Sequence, residues 1–169
     1  MKKLILVLSL IISGLYVSAQ NHETTLPIPN YRIMKDDGKI STQANLNRKK
    51  PVMFVYFEPT CSHCEHLMDE LKPHMNKLKN VQVILVTYTK TESPYLKMLT
   101  SFIKKYNLKK YPNVTVGTEH PDYKVQRYYE IVNTPYIVVY DRNGKVAKSF
   151  TVVPENVNDL LKVIKKVSA

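Results

Sequence analysis

The chain has 169 residues, of which 44% are hydrophobic and 23% charged, with only four glycines and no tryptophan. That balance excludes disordered and fibrous chains and suits one domain with its own core. The formal net charge is +11, yet the lysines come as scattered pairs (Lys49-Lys50, Lys104-Lys105, Lys109-Lys110, Lys165-Lys166) rather than as a basic stripe interleaved with aromatics, so no nucleic-acid partner is expected.

The first segment, MKKLILVLSLIISGLYVSAQ, has Lys2 and Lys3, then a mostly apolar run, then Val17-Ser18-Ala19. A basic start, an apolar middle and a small-residue end predict a signal peptide over 1–19, cleaved after Ala19. The apolar run is shorter than the roughly 20 residues a membrane-spanning helix needs; an uncleaved anchor is the alternative. The remaining residues are therefore expected to be exported, with the periplasm as their compartment. Residues 20–30 are polar and proline-bearing and read as a flexible lead-in. A single domain is expected over 31–169.

YRIMKDDGKIST reads as two short strands around an Asp-Asp-Gly-Lys turn. QANLNRKK is a connection with room for one helical turn. PVMFVYFE, 51–58, is a continuous apolar run rich in Val, Phe and Tyr, which predicts a strand buried on both faces. Pro59 ends it. From Cys61 the period changes: Cys64, Leu67, Met68, Leu71, Met75 and Leu78 fall on one helical stripe, with Pro73 inside it as a kink or an early stop. VQVILVTY, 81–88, is a second buried strand. SPYLKMLTSFIKKYNL predicts a helix with Ser93 as N-cap and Pro94 at its first position.

The stretch 109–130 is less regular: YPNVTVG suits a short strand or an extended loop, and HPDYKVQRYYEI a brief helix. PYIVVYD, 135–141, is a third buried strand, and the RNG turn leads into a fourth, KVAKSFTV. PENVNDLLKVIKKV closes the chain as a helix with Leu160, Leu161, Ile164 and Val167 on its apolar side. Alternating strands and helices predict an α/β domain with a central mixed sheet covered on both sides.

The two cysteines, Cys61 and Cys64, lie in FVYFEPTCSHCEHLMDE. A disulfide closing so short a loop removes little chain entropy, so chemistry explains the pair better than stapling. Cys61 falls in the first turn of its helix, where unpaired N–H groups and the helix dipole favour negative charge. The thiolate is the nucleophile; bringing a thiol from about 8.5 to about 7 is worth about 2 kcal/mol. His63, when protonated, would add to that. Cys64 lies on the apolar stripe and is expected to be shielded, one turn from Cys61 on the same face. That spacing allows an attacking thiol, a resolving thiol and a disulfide between them.

DDGKISTQANLNRKKPVMFVYF, VMFVYFEPTCSHC and YEIVNTPYIVVYDRNGKV, in this order along the chain, resemble the thioredoxin superfamily, and in particular exported TlpA/ResA-like thiol–disulfide oxidoreductases (redoxin-type domains). The resemblance covers roughly residues 30–169. It implies a thioredoxin-like fold with an N-terminal hairpin extension and an insert before the strand that follows Pro135. It implies a cis peptide before Pro135, facing the cysteines, with Thr134 offering backbone hydrogen bonds to an extended substrate segment. It implies a redox-active Cys61–Cys64 disulfide, disulfide-containing protein substrates, a membrane-bound or exported redox partner, and no cofactor.

Departures from the family are also visible. The buried acid on the strand before the motif appears as Val55, and the glutamate that follows the motif in many ResA-like proteins appears as Leu67. Glu58 is then the nearest acid on the strand side. A histidine before the second cysteine resembles DsbA-type oxidases, whereas the architecture resembles the reducing group and lacks the long helical insert of DsbA, which favours reductase- or isomerase-like exchange. Two other readings stay open: copper or zinc held by Cys61, Cys64 and His66, and a non-catalytic binding module on the same scaffold. The sequence gives no oligomeric state.

Overall fold

A computed structural model describes residues 26–169. The expected signal peptide and residues 20–25 lie outside the described residues. The elements run β1 (Arg32–Met34), β2 (Ile40–Thr42), β3 (Val52–Tyr56), α1 (Ser62–Leu71), β4 (Gln82–Thr87), α2 (Tyr95–Lys105), β5 (Val114–Thr118), α3 (Lys124–Tyr128), β6 (Tyr136–Tyr140), β7 (Val146–Phe150) and α4 (Val157–Ser168), with short 3-10 turns between some of them.

All seven strands form one sheet in the order β2-β1-β5-β4-β3-β6-β7. β3, β4 and β5 are parallel; β6 runs antiparallel to β3, and β7 to β6. This is the thioredoxin-like arrangement that the resemblance implies, widened by the β1–β2 hairpin. β3 is buried along its whole length and paired on both edges, as its unbroken apolar run requires. YPNVTVG, which left strand and loop open, supplies β5, a full parallel partner of β4.

The two faces of the sheet differ in composition. One is aliphatic: Met53, Val55, Leu85 and Val139 pack against Cys64, Leu67 and Leu71 of α1, Leu99 and Phe102 of α2, and Leu160 and Ile164 of α4. The other is aromatic: Tyr31, Phe54, Tyr56, Tyr129 and Tyr140 pack with Ile84, Val86 and Val125 under α3 and the entering chain. Buried phenols need partners. Tyr129 and Tyr140 hydrogen-bond each other, and Tyr56 donates to Glu119 at 2.8 Å.

Helix ends follow local chemistry. Pro73 cannot donate a backbone hydrogen bond, so α1 stops at Leu71 and a 3-10 turn carries the chain over Lys72–Leu78. The Asn156 side chain accepts from the Asn158 N–H at 2.8 Å and caps α4. α2 departs from expectation. Pro94, not Ser93, occupies the N-cap, no side chain caps the helix, and Ser93–Pro94 is cis. The first helical bond runs from Leu96 N–H to the Glu92 carbonyl at 3.1 Å, so backbone oxygens do the work assigned to Ser93. The stretch read as a flexible lead-in is also tied down where it is described. The Pro27 carbonyl accepts from Tyr128 at 2.6 Å and the Ile28 carbonyl from Gln43 at 3.0 Å, because the aromatic face has phenols to satisfy.

The hairpin meets β5 through a single register pair, Met34↔Thr118. Its approach depends on Gly117, where an added Cβ would stand 2.7 Å from the Met34 carbonyl oxygen. Backbone meets backbone there, so neither side can rotate away. Gly117→Ala is expected to destabilise the fold by about 1–3 kcal/mol and to detach the hairpin, seen as a lower urea midpoint and faster amide exchange at Ile33 and Met34.

Candidate functional site

The site lies where β3 ends. Phe57 N–H still donates to the Val86 carbonyl at 2.9 Å, and Cys61 N–H donates to the Glu58 carbonyl at 3.2 Å, closing the turn 58–61. Pro59 within that turn cannot donate and marks the end of sheet pairing. Cys61 then takes the N-cap position of α1 with extended backbone, φ −77° and ψ 121°. An N-cap side chain sits over the unpaired amides of the first turn.

Thr134–Pro135, just before β6, stands opposite. Its peptide is cis, as the resemblance implies. The Cys61 Sγ lies 3.6 Å from the Thr134 carbonyl oxygen. β6 pairs with β3 through Tyr56↔Tyr136, so one register brings the turn before β6 to the end of β3. Two segments separated by some seventy residues meet because the sheet leaves them no alternative.

The cysteines have different surroundings. Cys61 is half-buried and Cys64 is 1% exposed; both are free thiols. Burial by itself would raise the Cys61 pKa, but the Cys64 and His63 amides and the Thr134 and Cys64 side chains outweigh it, leaving Cys61 below the ordinary thiol value. For Cys64 burial dominates and, with Cys61 beside it, pushes its pKa up to about 12. The pair is thus one readily ionised sulfur and one protonated neighbour.

The other residues singled out in the sequence fall as follows. His63 is exposed and its backbone amide, not its ring, reaches Cys61. Glu58 is half-buried and accepts from Thr60 Oγ1 at 2.8 Å. Val55 lies in the aliphatic core with Cys64, so no carboxylate occupies the place beneath that thiol. His66 points to Glu70, 3.9 Å away, rather than to the cysteines, and no three His, Cys, Asp or Glu side chains among the described residues are grouped to hold a metal ion.

Sequence reasoning missed residues that hold this site in place. Glu65 binds α1 to α2: its side chain meets Lys105 at 2.9 Å and its carbonyl accepts from Tyr106 at 3.1 Å. Glu119, 2% exposed, accepts from Tyr56 and from the Val125 and Gln126 amides, and so fastens the start of α3 to β3. In the sequence it is one acid in a polar turn, and nothing local announces burial. Tyr88, at the end of β4, stacks on Tyr56 with centroids 6.3 Å apart. Its phenol faces Glu58, and burial together with that carboxylate pushes its pKa up to about 12.

A parallel-centred sheet whose middle strand runs into a Cys-x-x-Cys helix opposite a cis-proline defines a thioredoxin-type domain. Residues 38–167 match the model of the thioredoxin-like domain family, and the chain belongs to that family. No curated protein matches it. Among solved structures, a secreted disulfide oxidoreductase of Mycobacterium tuberculosis homologous to E. coli DsbE is 19% identical, with a TM-score of 0.66 over 81% of this chain and 96% of its own. A thioredoxin-like protein from Aeropyrum pernix is 18% identical, with a TM-score of 0.63 over 82% of this chain and 89% of its own. Another from Porphyromonas gingivalis is 18% identical, with a TM-score of 0.64 over 83% and 91% respectively. At these identities the likeness establishes the fold.

The contrast between the two thiols gives a pH prediction. A depressed pKa makes Cys61 a thiolate at lower pH than an ordinary cysteine, so iodoacetamide should modify it with a midpoint below that of an ordinary cysteine. Cys64, neutral until about pH 12, should stay unmodified through the neutral range. Mass spectrometry of alkylated peptides across pH checks both halves; equal labelling of the two would contradict the assignment.

Proposed function

We propose that this protein is an exported thiol–disulfide oxidoreductase that exchanges disulfides with protein substrates through Cys61 and Cys64. The observation that carries the reading is the placement of Cys61: a sulfur at the N-cap of α1, partly open to solvent, 3.6 Å from the carbonyl before a cis-proline, with a second thiol buried one turn behind it. In the reducing direction the Cys61 thiolate attacks a substrate disulfide, releasing one substrate thiolate and leaving a mixed disulfide. Cys64 then attacks the Cys61 sulfur, the second substrate thiol leaves, and two electrons have passed to the substrate. The Thr134 backbone would align the substrate's extended segment at that moment.

Reductase- or isomerase-like exchange is favoured over oxidation. A single helix, α2, joins β4 to β5, and only the five-residue α3 lies between β5 and β6, so the described residues leave no place for the helical domain of a DsbA-type oxidase. The basic-apolar-small pattern of 1–19 supports export, as does the secreted character of the M. tuberculosis relative. The electron donor that restores the dithiol would then be a membrane-bound or exported redox protein.

Insulin reduction with dithiothreitol as electron source tests the activity. Cys61→Ser should abolish it, and Cys64→Ser should accumulate a mixed disulfide visible on a non-reducing gel. Activity unchanged by Cys61→Ser would remove the proposal and leave a binding module. The equilibrium potential of the couple against glutathione checks the direction: a reductase should fall near the roughly −270 mV of thioredoxin rather than the roughly −120 mV of DsbA.

A further inference from the structure

The basic residues that look scattered in the sequence are gathered by the sheet. β3, β4 and β5 are parallel, so the segments leading into them lie at one end, and β6, antiparallel to β3, finishes there too. The segment before β3 carries Arg48, Lys49 and Lys50, the turn before β4 carries Lys79, and the turn before β5 carries Lys110. The β6–β7 hairpin adds Arg142 and Lys145, and the last turn of α4 adds Lys165 and Lys166. All of these residues are exposed. Side-chain bonds tie the segments to one another. Gln82 Nε2 donates to the Asn47 carbonyl at 2.9 Å, Asn113 Nδ2 to the Leu78 and Val81 carbonyls at 2.9 Å each, and Arg142 to the Ser168 carbonyl at 2.7 Å.

The charge there is one-sided. Among the described residues, none of these cations stands in an ion pair; only the neighbouring Lys109 is answered, by Asp36 at 2.7 Å. Asp141, the one acid in these segments, accepts the Asn143 and Lys145 amides at 2.8 and 3.0 Å and is occupied by its own turn. Cations in a last helical turn complement the helix dipole, which accounts for Lys165 and Lys166. No α-helix ends at Arg48–Lys50 or at Arg142 and Lys145, so that reason does not reach them. A groove of about 680 Å³ runs between Arg48, Lys50 and Arg142, and Pro27 and Ile28 border it. The apolar run within 1–19 is therefore joined to the domain from this end.

We propose that this end of the domain docks on an anionic phospholipid surface, with the cation-bearing segments against the headgroups and Cys61, beyond the finishing end of β3, facing away. Each basic side chain at such a surface contributes about a factor of five in binding, so the segments act as a set. Lipid fits better than nucleic acid. Among the described residues the exposed aromatic rings, Tyr88 and Tyr95, lie past the finishing end of β4, so none stands among these cations to stack on bases. The membrane-directed run of the chain also leaves from here. The physiological setting rests on the export reading above; the binding itself does not.

Cosedimentation of the chain from residue 20, which keeps every described residue, with equimolar phosphatidylglycerol–phosphatidylcholine vesicles tests the docking. Binding should appear there and not with phosphatidylcholine alone, and should vanish at about 1 M salt, where the Debye length is about 3 Å. Arg48→Gln, Lys49→Gln and Lys50→Gln together should weaken it by about 10- to 100-fold, and Arg142→Gln with Lys145→Gln by about 5- to 30-fold. The same charge removed past the finishing ends of β4 and β5, by Lys90→Gln, Lys97→Gln and Lys124→Gln together, should weaken it by less than about three-fold. Each variant should keep the wild-type rate of Cys61 alkylation, which shows that the fold is intact, and saturating vesicles should leave that rate unchanged. Equal weakening by the two triple variants would reduce the effect to net charge and overturn the proposal. Protection of Cys61 by vesicles would overturn it too, as would retention on polyglutamate or DNA without vesicle binding. None of these failures touches insulin reduction through Cys61, which tests the proposed function separately.

Discussion

The cysteine-bearing end of the molecule depends on where β3 stops. A strand buried on both faces and paired on both edges has no freedom to slide, because a shift of one residue would turn its core side chains to the wrong face. Its last pairs therefore fix three things together: the turn that delivers Cys61, the peptide before Pro135, and the end of β4. The sulfur is placed by the sheet, not by the loop that carries it. That is why so short a motif can hold a defined geometry at the surface.

The aliphatic and aromatic faces divide the labour. Helices α1, α2 and α4 cover the aliphatic face with side chains that ask for no polar partner, and Cys64 is buried among them at the cost of a suppressed ionisation. On the aromatic face several phenols bring a polar tip under cover. Glu119 answers Tyr56, Tyr129 answers Tyr140, and a backbone carbonyl of the incoming chain answers Tyr128. The irregular stretch between β5 and β6 thus gains order from hydrogen bonds rather than from helix length, since α3 alone is too short to persist.

Much of this was legible in the residues. The unbroken apolar runs gave β3, β4 and β6, the change of period at Cys61 gave α1, and Pro73 gave its early end. Cys61 and Cys64 were legible because two thiols one helical turn apart have few uses. What could not be read was whatever depends on distant pairing. Glu119 looks like a surface acid until Tyr56 and the α3 amides close on it. Pro94 looks like a first helical residue until the Glu92 carbonyl takes over the cap. Tyr88 looks like a strand terminus until its ring stacks on Tyr56. In each case the deciding neighbour is far away in sequence or is a backbone atom without a sequence signature.

The strap at Pro27 has a geometric consequence. Pro27 borders the same groove as Val52 and Asp141, at the starting end of β3, whereas Cys61 stands beyond its finishing end. The chain thus joins the domain at one pole and presents its sulfur at the other. Anything tethered upstream would stand behind the domain, away from the pole that carries Cys61.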